Sequence, residues 1–271
     1  MKNKTRYFFL VSYKGTHFSG WQRQADARTI QEVIENTLSK ILGMDTLTII
    51  GCGRTDKGVH ASYFVFHTDL EPIQIEPLKQ KLHFSLPPTI RIHQIVQPPL
   101  PLHARFDAIE RSYTYYFHLL QNPFFYENSL FISEQPNIIK MKELAAWFTK
   151  QSEFKSFCKS PDKHNTTICD LTTIDFYASP CNTHFKIVFK SNRFLRGMIR
   201  ILTQMLLDIG LDLMTLEDVI QRYTRTDSEK VPPLKLAPAH GLYLSNVAYD
   251  THFFDTTYPQ SPFEDREWKQ I

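Results

Sequence analysis

A chain of 271 residues can form one large domain or two domains of ordinary size, and its 42% hydrophobic content is sufficient for a packed core. The formal net charge of +3 permits a polyanionic partner without requiring one. No apolar run approaches the roughly 18 residues of a membrane span, and the cysteines form no Cys-x-x-Cys pair, so neither a membrane protein nor a zinc site is predicted.

The first hundred residues predict the order strand, helix, strand, strand, helix, strand. Arg6–Tyr13 predicts the first strand, and its apolar run is too short for a signal peptide, so we expect the cytoplasm as the location. Thr29 and Glu32 form a capping-box pattern, and apolar residues at helical spacing predict a helix that ends at Gly43. The other predicted elements are strands at 46–50, 59–68 and 89–96 and a helix at 75–84. This order is typical of a ferredoxin-like subdomain.

The proline-rich segment Pro98-Pro99-Leu100-Pro101 predicts a domain boundary, because proline fixes φ and supplies no backbone donor. We therefore predict an N-terminal subdomain at 1–101, a C-terminal αβ subdomain at 102–250 and a loosely held polar tail at 251–271. The predicted elements of the second half are strands at 111–120, 166–177, 184–190 and 242–249 and helices at 138–150, 194–209 and 216–223.

The loop at residues 50–61, between two predicted strands, concentrates glycine and charge. Its glycines, its acid and its two bases are Gly51, Gly53, Gly58, Asp56, Arg54 and Lys57. Glycine allows positive φ and close approach of a ligand, so one interpretation is a loop that presents Asp56 to a bound molecule. The other interpretation is an ordinary hairpin turn. The Gly-Lys-Ser/Thr ending of a P-loop and the third glycine of a dinucleotide fingerprint are absent.

Residues 53–61, Gly-Arg-Thr-Asp-Lys-Gly-Val-His-Ala, resemble the signature of the TruA family of tRNA pseudouridine synthases, with Lys57 where alanine is commoner. Further segments that resemble the family, in the same order along the chain, are 13–24, 102–108, 111–115, 193–200 and 237–244. The resemblance therefore covers nearly the whole chain. Two departures are Gln204, where glycine is common, and His83, where asparagine is usual.

The resemblance implies an isomerase that converts uridine to pseudouridine in the anticodon stem-loop of tRNA, at tRNA positions 38, 39 and 40. The reaction cleaves the bond between uracil N1 and ribose C1′ and rejoins the base through C5. It requires one carboxylate, as nucleophile or proton acceptor, and no cofactor. By resemblance that carboxylate is Asp56. A retaining glycosidase would require two carboxylates a short distance apart, and the loop supplies one.

The resemblance assigns three further site residues. Arg200 is implied to pair with Asp56 and to lower its pKa, Tyr113 to lie against the target base, and Arg54 to help displace the target nucleotide from its stack. Trp21, Tyr115 and Tyr116 are instead predicted to be packing residues, and His60 and Lys57 are either phosphate contacts or solvated loop residues. The positive residues that could hold the RNA backbone are Arg23, Arg28, Lys57, Arg105, Arg111, Arg193 and Arg196.

The resulting fold prediction is α+β, with two ferredoxin-like (RRM-like) αβ subdomains whose largely antiparallel sheets join around a central RNA-binding cleft. The resemblance also implies a homodimer with tRNA as the partner, and neither a membrane nor DNA is expected. One alternative is a non-catalytic RNA-binding module of RRM-like fold, although the aromatic strand signature of those modules is absent. The other is a nucleoside hydrolase that uses Asp56.

Overall fold

The computed structural model describes residues 4–224, 234–254, 263 and 267–271. The fold is mixed α/β, and most of its strand pairs are antiparallel. The described helices are α1 Ile30–Leu42, α2 Ile75–Ser85, α3 Ile138–Phe148, α4 Met198–Gly210 and α5 Leu216–Thr224. The described strands are β1 Thr5–Tyr13, β2 Ile50–Gly51, β3 His60–Leu70, β4 Ile90–Val96, β5 Ala108–His118, β6 Leu130–Phe131, β7 Leu171–Ala178, β8 His184–Ser191, β9 Leu242–Tyr249 and β10 Lys269–Gln270.

The chain divides into two compact units. The first comprises Met1–Arg111 and Tyr243–Asp265, and the second comprises Ser112–Leu242 and Arg266–Ile271. The first unit therefore ends ten residues beyond the predicted boundary at 101. It also contains most of β9, which the sequence had assigned to the C-terminal subdomain. The reason is a backbone pairing that no local pattern reveals, since β9 runs parallel to β3 through the pairs His60↔Tyr243 and Ala61↔Leu244.

In the first unit the strands lie in the order β9-β3-β1-β4, with the short β2 paired to β3. β1 is central and antiparallel to both β3 and β4. Helix α1 begins as predicted, because the Thr29 hydroxyl accepts the Glu32 N–H, and it ends at Gly43, which adopts φ 65°. Its apolar face is fully buried through Ile30, Ile34 and Leu38.

The strand predicted at 46–50 is wrong over most of its length, because only Ile50–Gly51 pairs with β3. The backbone groups before it bond to side chains instead of to a neighbouring strand. Ile49 N–H donates to the buried carboxylate of Glu35 at 3.1 Å, and Thr48 C=O accepts the Thr68 hydroxyl at 2.9 Å. Side-chain partners thus satisfy the polar groups that a β-ladder would otherwise satisfy.

In the second unit the strands lie in the order β10-β7-β8-β5, and β6 pairs in parallel with β5. Helix α4 is buried on most sides, and it begins at Met198 rather than at the predicted Phe194. The later start has a backbone cause, since Gly197 adopts φ 70°, a left-handed conformation that interrupts a helix. Residues 194–196 therefore belong to the non-helical segment that precedes α4.

The segment predicted as a loosely held tail, 251–271, is described only in part. Residues 255–262 and 264–266 lie outside the described residues. Among those that are described, Lys269 and Gln270 pair with Ala178 and Tyr177 of β7. In the part of the chain that the structure describes, no helix is long and apolar enough to cross a membrane.

His67 of β3 makes the stability of the first unit sensitive to acid. Its ring is 1% exposed, stacks on Phe8, and accepts the Ala104 N–H through Nδ1 at 3.1 Å. Burial, followed by the positive charge of Arg6, lowers the pKa of His67 to about 4, although the nearby carboxylates Asp69 and Asp107 oppose the shift.

We predict that the free energy of unfolding falls, by up to about 3 kcal/mol, as the pH decreases from about 6.5 to 4. In that window the unfolded chain binds a proton at His67 that the folded chain does not, so acid favours unfolding. Urea denaturation at several pH values measures the slope. The variant His67→Gln keeps a side-chain acceptor that does not titrate, and it should flatten the slope. An unchanged slope in this variant would contradict the assignment.

Candidate active site

The loop between β2 and β3, residues 52–59, contains Asp56 and Arg54, and a second segment of the first unit holds its backbone. That segment is 14–21. Trp21 N–H donates to the Thr55 carbonyl at 3.2 Å, and Gly58 N–H donates to the Phe18 carbonyl at 3.3 Å. The Thr55 hydroxyl also forms a 2.8 Å hydrogen bond with the Tyr13 hydroxyl. Both ends of the 52–59 loop are therefore fixed on either side of Asp56.

Glycine is required where the two segments meet. Gly20 adopts φ 86°, and a Cβ there would lie 2.4 Å from the Thr55 carbonyl oxygen. A Cβ at Gly15 would lie 2.0 Å from the Val59 carbonyl oxygen. Trp21, 2% exposed as predicted for a packing residue, stacks on Phe64 with the ring centroids 3.9 Å apart. The 14–21 segment thus supports the 52–59 loop by direct backbone contact.

The resulting loop alternates buried and accessible residues. Thr55 and Val59 are buried, whereas Asp56 is half-buried and Lys57 is exposed. The Val59 N–H donates to the Asp56 carbonyl at 3.1 Å, which closes a tight turn just after the acid. Among the described residues of the first unit, no side chain forms a hydrogen bond or an ion pair with the Asp56 carboxylate. The backbone around Asp56 is therefore fixed by hydrogen bonds, whereas its carboxylate has no partner within the part of the first unit that the structure describes.

Arg54 is largely exposed and lies close to another guanidinium. Partial burial, followed by the positive charge of Arg105, lowers the pKa of Arg54 from its usual value. Arginine nevertheless remains charged at neutral pH. Two like charges held together in this way favour a polyanionic ligand.

Arg111 connects the 52–59 loop to the turn that contains Arg105. Its guanidinium donates to the carbonyls of Cys52 at 3.1 Å and Ala108 at 2.7 Å, and also to the carbonyl of Arg105. Arg23 is likewise engaged within the first unit, where its Nε lies 2.7 Å from the buried carboxylate of Glu35. These two predicted RNA contacts therefore hold the protein's own structure together.

His60 is neither a phosphate contact nor a solvated loop residue, the two alternatives that the sequence left open. It is 1% exposed, its Nδ1 accepts the Gly15 N–H at 3.0 Å, and its ring stacks on Tyr243. A buried acceptor can contact neither phosphate nor bulk water, so His60 supports the 14–21 segment. Its position at the start of β3, facing the core, explains the error.

The other two predicted site residues, Tyr113 and Arg200, belong to the second unit. Tyr113 lies on β5, is 9% exposed, and meets Phe194 edge to face with the ring centroids 5.3 Å apart. Arg200 lies in the first turn of α4. Its Nε donates to the Ala237 carbonyl at 2.6 Å, and the Ala237 N–H donates to the Arg200 carbonyl at 3.0 Å.

The segment that holds Arg200 is itself anchored to β5. The Tyr115 hydroxyl donates to the Pro238 carbonyl at 3.0 Å, and a Cβ at Gly241 would lie 2.7 Å from the Tyr115 ring. Tyr115 is fully buried and Tyr116 is 2% exposed, which confirms both as core residues. Burial raises the pKa of Tyr115, so its hydroxyl remains a donor at neutral pH. No sequence pattern predicts this role of Tyr115.

The two departures from the resembled pattern have local partners. The Gln204 side-chain amide donates to the Asp208 carboxylate at 2.8 Å on α4. His83 pairs with Arg91. In the part of the chain that the structure describes, no three His, Cys, Asp or Glu side chains are grouped so that they could hold a metal ion.

Comparison with known proteins identifies similar sequences. A family model described as tRNA pseudouridine synthase matches residues 10–107 and 151–250. The tRNA pseudouridine synthase A of Azobacteroides pseudotrichonymphae is 34% identical over 250 residues, covering 92% of this chain and 98% of the relative. The proteins of that name from Bacteroides fragilis and Listeria innocua are 33% and 34% identical, covering 92% and 91% of this chain and 98% and 100% of the relatives.

We predict that Gly20→Ala destabilises the first unit more than Gly43→Ala does, by at least about 1 kcal/mol. Both glycines have positive φ, but a Cβ at Gly43 has nothing within 4 Å, whereas one at Gly20 collides with the Thr55 carbonyl. Urea unfolding of the two variants measures the difference, with Gly43→Ala supplying the cost of the backbone conformation alone. Equal destabilisation would show that the 14–21 segment does not support the loop closely.

Proposed function

The chain belongs to the tRNA pseudouridine synthase family, and from this premise we propose that it isomerises uridines at positions 38, 39 and 40 in the anticodon stem-loop of tRNA, with Asp56 as the catalytic residue. The observation that carries the proposal is the arrangement of the 52–59 loop. Asp56 is fixed by bonds to the neighbouring backbone, and its half-buried carboxylate has no partner in its own unit.

The reaction balances without another substrate. The N1–C1′ bond of the uridine breaks, the uracil turns, a bond forms between C5 and C1′, and the proton on C5 leaves as N1 gains one. The product is an isomer of the substrate and the reaction involves no net oxidation or reduction, so no oxidant or reductant takes part. Asp56 acts either as the nucleophile that holds the intermediate or as the base that accepts a proton. A fixed backbone reduces the entropy lost in aligning the carboxylate with the sugar and the base.

Arg54, Tyr113 and Arg200 complete the proposed site. Arg54, two residues before the acid, fills the space that the displaced uridine vacates, at a few kcal/mol of unstacking cost. Tyr113, whose ring Phe194 holds edge-on, lies against the uracil. Arg200, oriented through its bond to Ala237, pairs with the Asp56 carboxylate.

The finer architecture is part of the same proposal. We infer two ferredoxin-like subdomains joined around an RNA-binding cleft, and the strand order β4-β1-β3-β2 of the first unit supports the inference for that half. We further propose that the protein works as a homodimer and in the cytoplasm, where tRNA is the substrate. Analytical ultracentrifugation of the full chain tests the dimer.

We predict that Asp56→Asn lowers the rate of isomerisation by about 10²- to 10⁴-fold or more, because the amide neither attacks nor accepts a proton. Tritium release from tRNA labelled at uracil C5 measures the rate, and filter binding measures affinity, which should stay within a few-fold of the wild type. Asp45→Asn, at an exposed position outside the 52–59 loop, is the matched control.

The same assay separates the alternatives. A wild-type protein that binds tRNA but releases no tritium would be a non-catalytic RNA-binding module. Release of free uracil would indicate a nucleoside hydrolase. Full activity in Asp56→Asn would reject the proposed role of this residue.

We predict that Arg200→Lys lowers kcat while changing the affinity for tRNA little. Arginine can donate to the Ala237 carbonyl through Nε and still present its Nη atoms to a second partner. Lysine keeps the positive charge but has a single side-chain nitrogen, so it cannot serve both partners in this geometry. Single-turnover tritium release measures the chemical step. The exposed Arg196→Lys, four residues earlier, controls for the loss of a guanidinium in this part of the chain. A wild-type rate for Arg200→Lys would mean that charge alone is needed.

A further inference from the structure

Residues 103–107 form a turn in the first unit that its own side chains hold in place. The His103 Nδ1 accepts the N–H groups of Arg105 and Phe106, at 3.1 and 3.2 Å. The Asp107 carboxylate accepts the His103 N–H at 2.6 Å, and the Asp107 N–H donates to the His103 carbonyl at 3.1 Å. The 103–107 turn therefore has a defined conformation before any ligand binds.

This turn holds Phe106 in an exposed position. The side chain is 76% exposed. This is notable because burial of a phenylalanine side chain normally stabilises the folded state. One face of its ring stacks on His103, with the centroids 4.3 Å apart and the planes at 26°. The Arg105 guanidinium lies 5.8 Å from the ring centroid. An aromatic surface that is exposed, oriented and next to a cation is well suited to stack on a nucleobase.

The 103–107 turn is also attached to the 52–59 loop. Arg111 donates to the carbonyls of Arg105 and Cys52 through the same Nη2 atom. Arg105 and Arg54 are close enough for the charge of one to lower the pKa of the other. A nucleic acid that places its target nucleotide at the 52–59 loop thus meets the 103–107 turn within the first unit.

We propose that Phe106 is a binding residue for tRNA that stacks on an unpaired base close to the target uridine, while Arg105 contacts a phosphate of the same strand. This inference rests on the proposed function, since it requires an RNA substrate. It adds to that function a second aromatic contact, on the same unit as Asp56. The site selects for single-stranded or unstacked nucleotides, because only these present a free base face.

The chain supplies a matched control for the exposed ring. Phe124 is 85% exposed, and it lies in the second unit. Among the described residues no lysine or arginine lies over its ring. A general effect of removing an exposed phenylalanine should appear equally in Phe124→Ala and Phe106→Ala. A stacking effect should appear only in Phe106→Ala.

The experiment measures the affinity of the full chain for an unmodified tRNA transcript at several salt concentrations. Phe106→Ala and Phe106→Leu should weaken binding by about 5- to 150-fold, the range that one lost stacking contact spans, and Phe106→Trp should retain it. The slope of log affinity against log salt should stay unchanged in the Phe106 variants. In Arg105→Gln the slope should decrease in magnitude by about 0.7 to 0.9, because one phosphate contact is lost.

A fluorescent base gives a direct readout. We expect 2-aminopurine, placed next to the target uridine, to be quenched by the wild-type protein and to be less quenched by Phe106→Leu. Phe106→Leu keeps the apolar contact with His103, so it provides the test if Phe106→Ala proves unstable.

Three outcomes would overturn the inference: wild-type affinity in both Phe106→Ala and Phe106→Leu, equal losses in Phe124→Ala, or a change in oligomeric state with unchanged tRNA affinity. The last would identify the ring as a contact with a second copy of this chain. Failure of the proposed function is distinguishable, because it appears as activity in Asp56→Asn and not as a property of Phe106 variants.

Discussion

The close contact between Gly20 and the Thr55 carbonyl is the constraint on which the conformation of the 52–59 loop depends. At a Cβ distance of 2.4 Å only glycine is tolerated, and the positive φ of Gly20 points to the same residue. This contact brings Trp21 N–H to Thr55 and the Phe18 carbonyl to Gly58. The 52–59 loop is thereby held through its backbone and the Thr55 hydroxyl, without using the Asp56 carboxylate as a structural group.

In the second unit, Arg200 is positioned through its own side chain rather than through the neighbouring backbone alone. Here the guanidinium does take part in a structural bond, but through Nε, with Ala237 as the acceptor. Tyr115 and Gly241 set the position of that acceptor, the first by a hydrogen bond to Pro238 and the second by leaving room for the tyrosine ring. Orientation of the arginine therefore depends on buried residues on β5 and in the segment before β9.

The sequence predicted most helices and strands within a few residues, because periodicity and capping are local properties. It failed where a distant partner decides the conformation. In the segment 46–49, which forms no strand, Glu35 and Thr68 bond to the backbone of Ile49 and Thr48. Helix α4 starts late because Gly197 has positive φ. The four proposed site residues came from motif resemblance. Only that resemblance distinguished Tyr113, as a site residue, from its core neighbours Tyr115 and Tyr116. His60, the support role of Tyr115 and the exposed stack of Phe106 on His103 had no local signal.

The net charge of the chain does not show which of its arginines are bonded within the protein and which are exposed. The chain is only mildly basic, and two of the arginines that the sequence offered for RNA binding, Arg23 and Arg111, are bonded within the first unit. These internal bonds do not weaken the case for a polyanionic substrate, because Arg111 fixes the turn that presents Arg105 and Phe106. One internal arginine thus organises an exposed cation and an exposed ring beside the 52–59 loop. Under the proposed function, recognition of RNA would depend on a few positioned groups more than on total charge, which is the behaviour expected of a site that selects an unstacked nucleotide.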